Sequence, residues 1–349
     1  MQEGTDNSIV GWILPENPSA LPRIKIAGPN GFFAELEANA PQLDLRDKGH
    51  HETGFVGFHI DEKTLPGFSS IQNEIEIRES STNVLIYRKF LPQFHVETKL
   101  FRFELRAMPD SVTEGLFARH FALYYGAVQR HPQDTFFGVF NNPSARSIYL
   151  SGCPNYQQYE QLLKEREYKI IALLRNPYEE MAERLLFARY ALTPNIPTFV
   201  ADHMFGIEPL MDMVKDIRFD NIDSIRAAFN SMTETQKEIL SNPLVRALAC
   251  NNDERPKSGH VEIALSKLSR MDLVGLRSRF GEFKSILPEI IGRDIFEGHE
   301  LTSLAWVQRI VEQLSQIKQA RALITLDLDL YSFIEEAITE AIGPAGPAS

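Results

Sequence analysis

Arg175 has the type and position expected of a residue that binds a small anion. It directly follows the continuous apolar run Tyr168–Leu174, which is typical of a buried parallel strand, so it should lie at the carboxyl edge of a sheet. A guanidinium there can bind a phosphate through two parallel hydrogen bonds. The alternative is a surface arginine paired with Glu179 or Glu180.

Two further arginines and one histidine could act on a bound anion. Arg102 and Arg106 lie four residues apart in a β-rich run, so they should face the same side of a strand and supply positive charge. His120 lies in the helix expected after this strand and could serve as a base near neutral pH. The alternative for His120 is a partly buried helical histidine that is hydrogen-bonded to a neighbour. Arg106 and His120 are therefore the catalytic candidates.

The segment Leu105–Leu116 (LRAMPDSVTEGL) joins the expected strand to this helix. Ligands of open α/β sheets bind at such junctions, where helix N-termini offer free N–H groups and the positive end of a dipole. Ser111 and Thr113 are the candidate anion ligands. The alternative is a simple capped turn, with Asp110 or Ser111 as the N-cap. No Walker-type glycine loop is present, so we do not expect a nucleoside triphosphate site.

The cysteines and histidines show no pattern typical of a disulfide framework or a metal site. Cys153 and Cys250 are the two cysteines, and both are expected to be reduced and buried. His50 and His51 lie in a polar, glycine-flanked loop without two further ligands at metal spacing, so we expect them to be exposed to solvent. We therefore expect no metal.

Length and charge limit the class of protein. The chain has 349 residues, which at about 150 residues per domain suggests roughly two domains. Its formal net charge of −11 argues against binding to nucleic acid, although it allows a local cationic pocket. Neither a signal peptide nor an apolar run of about 20 residues is visible, so we expect a cytoplasmic protein without a transmembrane segment.

The first 95 residues have the pattern of a small all-β sandwich, because short β-rich runs alternate with turn-forming residues. The expected strands are Ile9–Leu14, Arg23–Ile26, Phe32–Leu36, Phe55–Ile60, Asn73–Arg78 and Val84–Tyr87. Trp12 and Phe58 fit either a sugar-binding face or the core, and we favour the core. Leu91–Val96 is expected to be a linker or an edge segment.

Beyond residue 98, strands and helices alternate, which predicts an α/β fold with a largely parallel sheet and a helical C-terminal half. The expected strands are Lys99–Ala107, Arg146–Leu150, Tyr168–Leu174 and Met271–Val274, and the expected helices are Thr113–His131, Asn155–Arg166 and Pro177–Ala191. These patterns give a β-sandwich domain at 1–95, an α/β domain at 96–342 and a disordered tail at 343–349.

Four stretches in the α/β part resemble those of a known superfamily. They are Leu174–Pro177 (LRNP), Ser241–Ala249 (SNPLVRALA), Leu268–Phe283 (LSRMDLVGLRSRFGEF) and Leu326–Tyr331 (LDLDLY). In order and spacing they resemble the sulfotransferases, specifically the glycan-modifying branch that includes heparan sulfate 2-O-sulfotransferases and bacterial relatives, over about residues 99–340. The N-terminal block, with Gly11-Trp12, Gly54-Phe55 and Gly57-Phe58, resembles a small β-domain fused to enzymes of bacterial surface-polysaccharide synthesis.

The resemblance implies a three-layer, P-loop-like arrangement of the parallel sheet, an activity and a donor. The protein would transfer a sulfuryl group from 3′-phosphoadenosine 5′-phosphosulfate to a glycan hydroxyl during surface-polysaccharide modification. Arg175 would contact the nucleotide 3′-phosphate. Ser111, Thr113 and Arg246 would complete the nucleotide site.

Three positions depart from the pattern of the superfamily. When Pro109–Gly115 is aligned with its Pro-Lys-Thr-Gly-Gly-Thr-Ser loop, Asp110 replaces the lysine that polarises the bridging oxygen. Glu183 replaces the serine that partners the arginine on the 3′-phosphate. Cys153 replaces the histidine base, for which a neutral buried thiol is a poor substitute. Two alternatives therefore stay open: an inactive protein of this fold that binds a glycan or a partner, and another glycan-directed transferase that uses the same crevice.

Overall fold

The computed structural model describes residues 2–3, 8–15, 17–89, 96–107, 110–142, 145–194, 196, 206–252, 254–301 and 305–343. The chain divides into two compact units: residues 1–97, 117–125 and 131–149 form the first, and residues 98–116, 126–130 and 150–349 form the second. Three sequence expectations fall wholly or mostly outside the described residues: the linker at Leu91–Val96, Pro109 of the aligned loop, and the tail at 343–349.

The first unit contains two four-stranded antiparallel sheets. Within residues 1–97 its elements are β1 (Gln2–Glu3), β2 (Ile9–Trp12), β3 (Arg23–Ala27), β4 (Phe33–Glu37), β5 (Ala40–Pro41), α1 (Leu43–Asp47), β6 (Phe55–Ile60), α2 (Phe68–Ile71), β7 (Ile75–Glu79) and β8 (Leu85–Lys89). The strand orders are β1-β2-β6-β5 and β4-β3-β7-β8. Alternate residues of β3 and β7, among them Ile24, Ile26 and Ile77, are fully buried, so one face of their sheet forms the core. All six expected strands and the sandwich-like arrangement are confirmed.

Two side chains of this unit lie differently from the expectation. Phe58 is buried in the core, but Trp12 is 48% exposed because it lies on the other face of its sheet. His51 is buried rather than exposed: its Nε2 donates to the carbonyl of Ala20 at 3.0 Å, and its Nδ1 accepts the N–H of Gly54 at 3.1 Å. These two hydrogen bonds give the His51 ring a structural role in closing its loop.

A five-stranded sheet provides the framework of the α/β part. Its strands are β9 (Lys99–Phe103), β10 (Leu123–Tyr125), β11 (Ile148–Gly152), β12 (Lys169–Leu174) and β13 (Leu273–Leu276), in the order β10-β11-β9-β12-β13. β12 is parallel to both of its neighbours, with Ile171 opposite Arg102 and Leu174 opposite Leu276. Consecutive residues of β12 are buried, which explains its continuous apolar sequence. The carboxyl ends of β9, β12 and β13 therefore lie side by side.

Helices separate these strands, although the first is shorter than expected. They are α3 (Ser111–Ala118), α4 (Gln133–Phe140), α5 (Tyr156–Glu165) and α6 (Pro177–Tyr190). The prediction of one helix over Thr113–His131 is wrong, because the chain leaves the helix after Ala118 and forms β10. The N–H groups of Ala122 and Leu123 bind the side chain and the carbonyl of Ser147, at 2.9 and 3.1 Å. These partners replace the hydrogen bonds that a continuous helix would make.

The C-terminal half is helical, as expected, apart from β13. Its helices are α7 (Glu208–Val214), α8 (Ile222–Asn230), α9 (Glu234–Leu240), α10 (Pro243–Ala249), α11 (Gly259–Leu268), α12 (Phe280–Ile291), α13 (Ala305–Ser315), α14 (Lys318–Leu323) and α15 (Thr325–Ile342). The fully buried side chains of Leu185, Leu210 and Leu314 join α6, α7 and α13 in one core. In the described part of the chain, no helix combines the length and the apolar character needed to cross a membrane.

The N-terminus of α10 and the N-terminus of α15 are each capped by a side chain from the start of the other helix. The Asn242 side chain accepts the N–H groups of Leu326 and Asp327 at 2.9 and 3.2 Å. The Asp327 carboxylate in turn accepts the N–H groups of Leu244 and Val245 at 3.0 and 2.8 Å. Two of the four stretches that carry the family resemblance therefore meet here, and in this place their polar residues satisfy free N–H groups at helix ends.

Candidate anion-binding site

A cavity lies at the carboxyl ends of β9, β12 and β13. Its empty volume, counting the part open to solvent, is about 360 Å³. We call it the arginine crevice, and it is lined by Arg102, Phe103, Glu104, Arg106, Asp110, Thr113, Leu173, Arg175, Arg277 and Leu301. The lining contains four arginines and two carboxylates.

Arg106 lies against the first turn of α3. Its Nη1 donates a hydrogen bond to Oδ2 of Asp110. Asp110 also caps the helix, because its carboxylate accepts the Thr113 N–H at 3.1 Å and the Thr113 hydroxyl at 2.7 Å. Burial would raise the pKa of Asp110, but Arg106 and these hydrogen bonds outweigh burial and lower it. The Arg106 guanidinium is therefore already paired with a negatively charged carboxylate.

Three arginines converge on one carboxylate of α6. Arg175, the first residue after β12, donates from Nη1 to Oε2 of Glu183. The other carboxylate oxygen of Glu183 lies 3.6 Å from Nη1 of Arg277, the first residue after β13. Nε of Arg106 lies 3.9 Å from Oε2 of Glu183. Because Glu183 is only 5% exposed, it is an internal counter-ion of these guanidiniums.

A second carboxylate of α6 extends this charge network. Glu180 accepts a hydrogen bond from Arg184 at 2.9 Å and lies 3.9 Å from Nη1 of Arg175. Burial raises the pKa of Glu180 in spite of both arginines. Burial also opposes the charge of Arg175, but Glu183 and Glu180 together outweigh this effect and raise its pKa. Arg175 thus stays positively charged although it is nearly buried.

Arg102 organises another group of charges along β9. Its Nη2 lies 2.6 Å from Oε2 of Glu104 and 2.6 Å from Oε1 of Glu114. The same Glu114 oxygen accepts the hydroxyl of Ser151 at 2.6 Å. Desolvation raises the pKa of Glu114, and the nearby Glu104 carboxylate adds to this effect while Arg102 opposes it. Glu104 lines the arginine crevice and keeps 20% of its side chain exposed, so a bound molecule can reach it.

The arginine crevice brings together three of the six site residues selected from the sequence, namely Arg106, Thr113 and Arg175. Ser111 is exposed in the first turn of α3 and does not line the crevice. Lys99, at the start of β9, lies with its ammonium 5.8 Å from the centre of the Tyr168 ring.

Two selected residues lie elsewhere. His120 follows α3 within the first unit, where its N–H binds the carbonyl of Phe117, and the lining of the crevice does not include it. Arg246 lies on α10, outside the lining, and burial together with the like charge of Arg184 lowers its pKa. The roles expected for His120 and Arg246 at this site therefore stay predictions.

The two cysteines are free thiols, and Cys250 is buried while Cys153 is half-buried. Burial raises the pKa of Cys153 to about 12, so its thiol is neutral near pH 7 and cannot act as a base there. Among the residues that the structure describes, no group of histidine, cysteine, aspartate and glutamate side chains is arranged to hold a metal ion.

Sequence reasoning missed Arg277 and Glu104. Arg277 directly follows β13, as Arg175 directly follows β12, so the rule that selected one arginine also applies to the other. No sequence pattern indicated Glu104, because its place in the crevice depends on where the chain turns after β9. The pairing of β9, β12 and β13 places these residues in one cavity.

The arrangement can bind an oxyanion between several guanidiniums and can offer a carboxylate as a proton acceptor. Comparison of the chain with models of protein families, with curated proteins and with solved structures found no match. The geometry of the arginine crevice is therefore the starting point for assigning a function.

Proposed function

We propose that the protein is a sulfotransferase-like transferase with a P-loop-like, three-layer α/β domain, which uses 3′-phosphoadenosine 5′-phosphosulfate to sulfate a glycan hydroxyl. One observation carries the proposal: Arg106, Arg175 and Arg277 follow three neighbouring strands and line one cavity at their carboxyl ends. Open α/β sheets bind ligands at this edge, and guanidiniums match phosphate and sulfate oxygens.

The residues of the arginine crevice can be given roles in this transfer. Arg175 and Arg277 bind a phosphate of the nucleotide. Arg106 and the Thr113 hydroxyl stabilise the charge that develops on the phosphate oxygen as its bond to sulfur breaks. Glu104 accepts the proton of the acceptor hydroxyl while the new oxygen–sulfur bond forms. Arg106 thus takes the place of the lysine that the family resemblance leads one to expect, and Glu104 takes the place of the histidine.

A second candidate is a protein of this fold that binds a glycan or another partner without transfer. It is favoured by two existing ion pairs, in which Asp110 binds Arg106 and Glu183 binds Arg175. If these ion pairs stay closed, the crevice has no free guanidinium for a donor with several negative charges.

Calorimetry tests the binding step shared by the donor and its product. We expect 3′-phosphoadenosine 5′-phosphate to bind the wild-type protein, and Arg175→Gln to weaken this binding by at least tenfold. Arg255→Gln, which changes an exposed arginine elsewhere in the second unit, should bind like wild type. Absence of binding to the wild-type protein at millimolar nucleotide would rule out the proposed donor.

A transfer assay separates the two candidates. Incubation with ³⁵S-labelled donor and a set of bacterial polysaccharides should label an acceptor, and Glu104→Gln should abolish the labelling while nucleotide binding persists. Binding of the nucleotide without transfer to any acceptor would favour the non-catalytic candidate. Labelling that survives in Glu104→Gln would exclude Glu104 as the base.

A further inference from the structure

One nitrogen of Arg102 is shared by two carboxylates that come from different parts of the chain. Nη2 of this guanidinium lies 2.6 Å from Oε2 of Glu104 and 2.6 Å from Oε1 of Glu114. Arg102 is only 4% exposed, and it lines the arginine crevice together with Glu104. Because a buried guanidinium cannot turn away from either partner without leaving a charge unpaired, the position of Glu114 bears directly on that of Glu104.

Glu114 is held in place by further contacts. It lies on α3, and its Oε1 accepts the hydroxyl of Ser151, a buried residue of β11, at 2.6 Å. Its Oε2 lies against the backbone at Gly126, where an added Cβ would come within 3.0 Å of that oxygen. Desolvation raises the pKa of Glu114 and Arg102 opposes this effect, so Arg102 is the main contact that offsets the burial of its charge.

Glu104 is less firmly held by its own surroundings. It is the first residue after β9, its side chain is 20% exposed, and its Oε1 lies 3.8 Å from Nη1 of Arg106. Arg106 is at the same time paired with Asp110. The 2.6 Å contact with Arg102 therefore fixes the Glu104 carboxylate, and Glu114 fixes Arg102 in turn.

We propose that Glu114 is a positioning residue: through Arg102 it holds the carboxylate of Glu104 at the point where the acceptor hydroxyl loses its proton. This inference rests on the proposed function, in which Glu104 accepts that proton. Glu114 does not line the crevice, so it acts on the transfer through Arg102. Displacement of a reacting group by about 1 Å can lower a rate on the order of 100-fold. Nucleotide binding, which we assign to Arg175 and Arg277, should not change.

A first test follows the Glu104 carboxyl group itself and needs no activity. In protein labelled with ¹³C-glutamate, the ¹³Cδ NMR resonance of Glu104 is the signal that Glu104→Gln removes. We expect Glu114→Ala to shift this resonance. Glu114→Gln, whose amide oxygen can still accept from Arg102 and Ser151, should return it towards the wild-type position. Glu262→Ala, which removes an exposed glutamate on α11, should leave it unchanged.

A second test measures the rate of transfer from ³⁵S-labelled donor. Glu114→Ala should lower kcat by about 10- to 100-fold, while the KM for the donor stays within about twofold of wild type. Glu114→Gln should recover most of this loss. Ser151→Ala removes only the hydroxyl that holds Glu114, so it should have smaller effects of the same kind on the rate and on the resonance. This variant decides the matter if Glu114→Ala does not fold.

The outcomes separate this inference from the proposed function. A Glu104 resonance that moves in neither Glu114→Ala nor Ser151→Ala would overturn the positioning role, whether or not transfer is observed. Equal losses in kcat and in nucleotide affinity would also overturn it, because they would show general damage to the fold. A resonance that shifts as expected, in a protein that labels no acceptor, would overturn the proposed transfer and leave Glu114 as the residue that holds Glu104.

Discussion

Asn242 and Asp327 cap each other's helices, although 85 residues separate them in the chain. Each side chain accepts two backbone N–H groups at the N-terminus of the opposite helix, and both residues are buried. The connection joins the start of α10 to the start of α15. It supports the helical layer of the second unit but does not line the arginine crevice.

Asp327→Ala should destabilise the protein, because it leaves two buried N–H groups without an acceptor. We expect a loss of about 2–4 kcal/mol in the free energy of unfolding, measured by urea denaturation. Asp329→Ala changes an exposed aspartate two residues away on the same helix and should cost less than about 0.5 kcal/mol. Equal losses in the two variants would contradict the structural role of the exchanged caps.

The stability of the protein should fall as pH rises from 5 to 8. Burial raises the pKa of Asp327 from 3.8 to about 7 in the folded state, so the folded protein holds a proton that the unfolded chain has lost. This contribution is complete below pH 4 and is lost as pH rises through about 7. The fall should be on the order of 1–3 kcal/mol in urea denaturation.

Asp327→Asn should flatten this pH profile, because asparagine cannot ionise but can still accept an N–H group. Some dependence should remain, since burial raises the pKa of Glu180 in the same direction. A profile as steep as that of wild type in the variant would show that Asp327 does not titrate in this range.

Gly152→Ala should be strongly destabilising. Gly152 has a φ of +141°, and an added Cβ would lie 2.2 Å from Oε1 of Gln129 and 2.8 Å from the backbone nitrogen of Val128. We expect a loss of at least about 2 kcal/mol in thermal or urea unfolding. Gly281→Ala is the matched control, because an added Cβ in α12 meets no atom within 4 Å, and it should be neutral or slightly stabilising.

Arg277→Gln should weaken nucleotide binding by about 10- to 100-fold, since hydrogen bonds between charged partners contribute roughly 1.5–3 kcal/mol each. Calorimetry with 3′-phosphoadenosine 5′-phosphate measures the effect. Arg246→Gln tests whether an arginine that does not line the crevice takes part, and it should leave the affinity within about twofold of wild type. A larger loss of affinity in Arg246→Gln than in Arg277→Gln would indicate that the nucleotide binds nearer to α10.

Both cysteines should resist alkylation in the folded protein. Burial raises the pKa of Cys153 to about 12 and also raises that of Cys250, so little thiolate is present at pH 8. Iodoacetamide followed by mass spectrometry should label both residues at least a hundredfold more slowly in the native protein than in urea. Rapid native labelling of Cys153 would indicate an activated thiol.

The sequence pattern predicted the framework of this protein better than its site. Alternation and apolar runs predicted the six N-terminal strands and β12, because burial on one face or on both leaves a direct mark on residue type. β10 was missed because its backbone partner, Ser147, is distant in the chain, and His51 was misplaced because its hydrogen bonds close a loop that no periodicity reveals. Arg175 was found from its position after β12, whereas the convergence of Arg106, Arg277 and Glu183 depends on which strands pair.

The register of β12 and β13 sets the spacing of the crevice. Leu174 pairs with Leu276, so Arg175 and Arg277 are the first residues after two adjacent strand ends. Substitutions of other side chains in the crevice therefore leave the backbone positions of Arg175 and Arg277 unchanged. To change which ligands this crevice accepts, a protein engineer would substitute the carboxylates of α6 and keep the arginines that follow β12 and β13.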